Sequence, residues 1–168
     1  MSSDGSATSG KPSKYVTLDG VSISTSGDAA PKPRTDPAIG DRMEDDTIYA
    51  GVSPDTGKPM YALPADATMT MRWREAMDYA AGLHAHGHKD WKLPSEAELD
   101  VLYQNRDKGA LKGTFNTSGS FIAGWYWSST EHPDGAWVER FSDGNRGWGW
   151  KGNDASVRPV RSEPRHEL

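Results

Sequence analysis

The sequence predicts an α+β domain, with two helices set between an early β-hairpin and a late β-meander. Three observations carry this. Met69, Trp73, Ala76, Met77, Ala80 and Leu83 recur at helical spacing. Ser95 followed by Glu98 is a capping box: the Ser hydroxyl accepts from an orphan backbone N–H and the Glu reaches back. From Gly124 to Arg161, runs of aromatic and β-branched residues alternate with turn residues, which marks several short antiparallel strands.

The elements follow in order. Residues 1–14 are Ser-, Gly- and Lys-rich and are expected to be a disordered tail. Tyr15–Leu18 and Val21–Ser24 flank Asp19-Gly20, a two-residue hairpin signal. An isolated hairpin is marginal in water, so it must pack on the domain or on another subunit, which offers a route to an oligomer. The rest of residues 15–42 is a Pro-rich linker. The compact domain spans residues 43–162, and 163–168 are a tail. Its first elements are Thr47–Val52 and Met60–Leu63, a hairpin around Pro54–Lys58. Thr70 is the expected N-cap of the first helix and Gly87 its stop; the second helix runs from Ser95 to about Arg106 with Leu99, Leu102 and Tyr103 on its apolar side. Residues 107–123 are Gly-, Thr- and Ser-rich and read as a long loop, and Ser142-Asp143-Gly144 is a strong turn signal within the meander.

Composition excludes several classes. The chain has 168 residues, seven tryptophans and 35% hydrophobic content, enough for one core. Its net charge of −5 argues against a nucleic-acid partner, whose footprint needs a basic face. The absence of cysteine removes disulfides, thiol nucleophiles and cysteine-ligated metal sites. No stretch reads as a signal peptide or a membrane-spanning segment, so no membrane insertion is expected and the location stays open. The last four residues, Arg165 to Leu168, loosely resemble an endoplasmic-reticulum retention tail; without a signal sequence this is read as chance.

Five of the seven tryptophans lie in the meander. Alternation places Trp125 and Trp127 on one face of their strand and Trp137 with Phe141 on one face of theirs. Trp91, Leu93, Leu99, Trp127 and Trp137 are therefore expected as buried scaffold. Trp148 and Trp150 sit among glycines and are the candidates for exposure. Asn145–Asp154 is an odd strand, because glycines pack nothing and cost entropy. It reads either as a segment that tolerates replacement or as a glycine-rich loop beside a packed Trp pair. His84, His86 and His88 have metal-like composition, but a solvated helix end and loop account for them better, and no metal or other cofactor is expected. Glu131-His132-Pro133-Asp134 with Asn153-Asp154 faintly resembles a calcium-binding pattern of sugar-binding lectins without matching it residue for residue. Arg158 and Arg161 are read as ion-pair partners on a closing strand.

Trp91-Lys92-Leu93-Pro94-Ser95 with Glu98-Leu99, Tyr126–Thr130, Ala136-Trp137, Phe141–Gly144 and Val157–Arg161, in this order, resemble the Lcl C-terminal domain family over roughly residues 43–162. That family is similar to the formylglycine-generating-enzyme type of C-type lectin fold, and many such domains are the variable proteins of diversity-generating retroelements. The resemblance implies that Thr47–Val52 pairs with Ser156–Arg161. It also implies a non-catalytic module that binds an unknown protein or glycan through a variable C-terminal face. The loop after Thr130 and the glycine-rich strand contribute least core yet hold aromatic and charged groups. The expected surface is Glu131, His132, Asp134, Val138, Arg140, Asn145, Arg146, Trp148, Trp150 and Asn153, with Gly147, Gly149 and Gly152 as interchangeable positions. The alternative is a structural domain of a phage-tail or surface assembly. An oxidase like the formylglycine-generating enzymes needs copper-holding cysteines that this chain lacks, and calcium-dependent sugar binding lacks its motif.

Overall fold

The computed structural model describes residues 36–162. The N-terminal tail, the hairpin expected at residues 15–24, most of the linker and the C-terminal tail lie outside the described residues. The elements run β1 (Ile48–Val52), β2 (Pro59–Ala62), α1 (Trp73–Ala81), α2 (Glu96–Gln104), β3 (Trp125–His132), β4 (Gly135–Arg140), β5 (Arg146–Gly149) and β6 (Val160–Ser162). A short 3-10 turn at Gly109–Leu111 interrupts the long loop after α2. The strands form two three-stranded antiparallel sheets, β1-β2-β6 and β3-β4-β5, so the α+β expectation holds. No helix among the described residues is long and apolar enough to cross a membrane.

The first and last strands share a sheet but do not pair directly, which corrects the expected pairing. β2 lies between them, with Met60 opposite Ser162 and Ala62 opposite Val160. The outer edge of β1 is already taken: Gly40 donates to the Tyr49 carbonyl, Tyr49 to that of Asp41, and Met43 to that of Thr47. The only edge left for the closing strand is that of β2. The segment before β6 is not a regular strand either. Ser156 bridges β3, donating to the Trp125 carbonyl and accepting from Trp127, and Pro159 precedes the three residues that join β2. One chain segment thus stitches the two sheets together.

Two helix boundaries differ from expectation. α1 is capped at Arg72, not Thr70, because the Glu75 carboxylate accepts the Arg72 N–H at 3.1 Å. It ends at Gly82 rather than Gly87, which leaves Met69 exposed ahead of the helix and Leu83 beyond it. α2 carries the predicted capping box, with Ser95 Oγ accepting from the Glu98 N–H and Glu98 accepting from the Ser95 N–H. Glu98 is fully buried and also takes Ser53 Oγ and Lys92 Nζ, each at 2.6 Å, so the cap ties α2 to the end of β1.

Two apolar clusters form the core. One joins the first sheet to α2 through Leu99, Leu102, Tyr126 and Phe141; the other packs α1 on Trp127, Leu93 and Val157. Trp91, Leu93, Leu99 and Trp127 are buried as expected. Trp137 is only half-buried, a correction with a simple cause. It lies on the face of β4 away from the α1 cluster, and its ring meets His132 edge-on at 5.1 Å.

Arg158 is a structural ion-pair residue, as the sequence suggested, but it lies inside the protein. Its Nε donates to Asp66 at 2.9 Å, its Nη1 to the Leu63 carbonyl at 3.0 Å, and its Nη2 to the Thr114 carbonyl. Tyr126 Oη donates to the other Asp66 oxygen at 2.6 Å. Removing one partner of a buried pair leaves the other charge uncompensated, at about 3–5 kcal/mol. Asp66→Ala is therefore expected to lower the urea-unfolding free energy by that order. A loss of under about 1 kcal/mol, the range of an exposed pair, would show that the guanidinium is satisfied without it.

Candidate functional site

The second sheet carries the candidate residues, and its register decides where each one points. Side chains alternate across a strand, and directly paired residues share a face. Trp127, Val138 and Gly147 therefore share one face with Trp125 and Arg140. Trp137 and Trp148 share the other face with Glu139 and Arg146. The thirteen expected residues are thus distributed over both faces and the loops beyond, rather than over one continuous surface.

The first face holds a groove of about 280 Å³. Trp125, Trp127 and Val138 line it from β3 and β4, and Gly147, Trp148 and Gly149 line it from β5. Val138 is buried, so it serves as lining rather than as a protruding contact. Asn153, Asp154 and Ala155 contribute from the segment after β5. Phe121 and Ile122, from the loop before β3, complete it. Phe121 is 80% exposed. Ile122 has a φ of 70°, a left-handed backbone that a β-branched residue adopts at a cost of order 1–3 kcal/mol. Strain of this kind collects at functional loops.

On the other face an aromatic cluster projects at the open end of the sheet. His132 stacks on Trp148 with ring centres 5.0 Å apart and planes 10° apart, and Trp150 lies 6.4 Å beyond. Trp148 is 40% and Trp150 63% exposed. His132 Nδ1 accepts the Asp134 N–H at 3.0 Å, which places the neutral ring's proton on Nε2. The expected loop after Thr130 is shorter than predicted, because β3 continues through His132 and only Pro133-Asp134 turn. Glu131 pairs with Lys151, Asn145 is exposed just before β5, and Gly152 is exposed in a turn.

Arg146 is held on this face by α2, with Asp100 at 3.1 Å and Glu96 at 3.7 Å. Beneath it Glu139 is 1% exposed, and neither carboxylate oxygen finds a donor. Burial, then the neighbouring Asp100, pushes its pKa up from 4.5 to about 8, with Arg146 pulling the other way. Protonated, Glu139 becomes a donor that Asp100 can accept. The histidines are explained structurally: His88 Nε2 meets the Asp45 carboxylate at 2.7 Å, and His86 Nδ1 donates to the Asp45 carbonyl. Burial raises the Asp45 pKa, but the hydrogen bonds of Thr47 and His88 outweigh it and hold the group at about 2. Among the described residues no group of three or more His, Asp or Glu could hold a metal ion.

Sequence reasoning missed Phe121, Ile122 and the placing of Asp154 in the groove. The one available signal was an apolar pair stranded in a Ser- and Gly-rich loop.

Fold and site define a small α+β domain with a grooved, tryptophan-rich sheet. The family model of the Lcl C-terminal domain matches residues 50–161, and the chain belongs to that family. No curated protein matches the chain.

The Glu139 geometry makes stability depend on pH. Its folded pKa lies above its unfolded value, so its contribution is full below 4.5 and is lost as pH rises through about 8. Glu139→Gln keeps the shape without the ionisation. The variant is expected to gain on the native protein as pH rises from 5 to 9, by up to several kcal/mol on this linkage. Parallel urea-unfolding curves at both pH values would show that Glu139 is solvated instead.

Proposed function

We propose that this chain is a non-catalytic recognition domain of C-type lectin-like fold, of the formylglycine-generating-enzyme type. It is similar to the variable proteins of diversity-generating retroelements, and it binds a protein or glycan ligand through the end of the second sheet. One observation supports this above the others. Gly147, Gly149 and Gly152 have no backbone need to be glycine, since none has a positive φ. A Cβ at Gly147 or Gly152 would meet nothing within 4 Å, and one at Gly149 would make ordinary contacts with Trp127 at 3.4 Å and Val138 at 3.8 Å. Glycine that costs stability and serves no conformation fits positions that are free to vary. The aromatic rings beside them suit recognition, because rigid rings bury area at low entropy cost.

Other glycines of the meander differ. A Cβ at Gly135 would fall 2.0 Å from the Gly149 carbonyl oxygen, and Gly144 has a φ of 77° with Tyr103 closing in. Gly147→Tyr and Gly152→Tyr are therefore expected to keep the thermal unfolding midpoint within a few degrees, a change of about 0.5 kcal/mol or less. Gly135→Ala should unfold the domain or lower the midpoint steeply. Unfolding by Gly147→Tyr and Gly152→Tyr as well would make these glycines structural and sink the variable-face reading. A reverse-transcriptase gene beside the coding region, with a near-copy of the stretch encoding residues 130–156 altered at adenines, would identify the source of variation.

A further inference from the structure

We propose that the groove on the β3-β4-β5 sheet binds a lysine or arginine side chain of a partner protein. This rests on the recognition reading above and adds the chemistry of what is recognised. Two charged residues line the groove, Arg140 and Asp154. Arg140 is already neutralised: its Nε and Nη2 donate to the two carboxylate oxygens of Asp143 at 3.1 and 2.6 Å. Its guanidinium also lies over the Trp125 ring at 5.1 Å. The exposed carboxylate of Asp154 has no hydrogen bond or ion pair with any described residue. The groove therefore presents one unbalanced charge, and it is negative.

Apart from the uncharged amide residue Asn153, the rest of the lining is apolar, with Trp127 and Val138 buried. A matching ligand is apolar along its length and cationic at its tip. Lysine and arginine have that form, with a methylene stem and a hydrated head. A carboxylate-bearing side chain would meet Asp154 with like charge, and a purely apolar one would leave that carboxylate without a counter-ion, so the groove discriminates as well as attracts. Indole rings reward a cation further. The net charge of −5 favours the approach of a basic partner.

The test titrates acetylated, amidated pentapeptides Gly-Ser-Xaa-Ser-Gly into the nitrogen-15-labelled full chain, with Xaa lysine, arginine, norleucine or glutamate. A further arm uses n-butylammonium. The reporters are the backbone amides of Gly147 and Gly149 and the Trp125 indole N–H. The lysine and arginine peptides are expected to shift these signals and to bind about tenfold tighter than norleucine, a difference of the size a paired cation supplies. Asp154→Asn should erase that advantage without moving the melting midpoint, since the side chain is exposed. Equal binding of norleucine and lysine, with Asp154→Asn silent, overturns the cation assignment yet leaves the groove a recognition surface. n-Butylammonium binding as well as the lysine peptide overturns the protein source in favour of a free amine. No shift with any probe overturns the inference itself, while the glycine replacements judge the recognition reading separately.

Discussion

The buried guanidinium of Arg158 is the contact on which the rest of the domain depends. It gathers groups from three stretches that no regular ladder connects: Leu63 and Asp66 after β2, Thr114 after the 3-10 turn, and its own closing segment. Asp66 passes the link on to Tyr126 of β3, whose hydroxyl in turn accepts the Asn116 N–H at 2.7 Å. The Phe115 ring lies 4.0 Å from the guanidinium carbon. Burial raises the Asp66 pKa and lowers that of Arg158, so each charge is costly where it sits. The attraction offsets that cost rather than adding a large surplus. What the network supplies is position: it holds an irregular loop and two sheets in a single arrangement.

The closing segment matters for the same reason. Ala155 bonds to Met71, Ser156 to β3 and Val157 to Ala67, and Val160 then pairs with both β2 and Lys92. Arg161 adds a bond from Nε to Asp90 at 2.7 Å. A final stretch of a few residues thus fastens α1, the approach to α2 and both sheets. The groove lies beside this fastening through Ala155, so one wall rests on the scaffold while the loop bearing Phe121 and Ile122 supplies another.

Local signals in the sequence were legible and non-local ones were not. The capping box at Ser95 and Glu98 was readable because its two partners are three residues apart, and the turn at Asp143-Gly144 for the same reason. The start of α1 was misplaced because Arg72 carries no capping side chain; the cap is made by Glu75 reaching back to a backbone N–H. The pairing of β6 depended on residues 40–43 covering β1, which no periodicity reports. Period-two alternation placed Trp127 in the core correctly, and the flanking glycines marked Trp148 as exposed. It failed for Trp137, because alternation gives the face but not how far along that face another element reaches. The candidate surface was legible as a segment, not as a shape: its residues fall on two faces, and the loop that completes the groove lies outside the segment.

This division separates stability from recognition in a useful way. β5 is the last strand of its sheet and is held to β4 by backbone pairing, which is indifferent to the side chains it carries. Gly147 and Gly149 open onto the groove face, while Trp148 between them borders the groove and stacks its ring on His132. Arg146, one residue earlier, is committed to α2 and sits over the buried Glu139. Within four residues the strand therefore contains one anchored position, two open ones and one exposed ring. A change at Gly147 reshapes the groove without touching the stack on His132, and a change at Trp148 alters the stack while leaving Trp127 and Val138 in place. An edge strand built this way can vary both surfaces at its own exposed positions, because the buried Trp127, Val138 and Ala155 that border the groove belong to other segments.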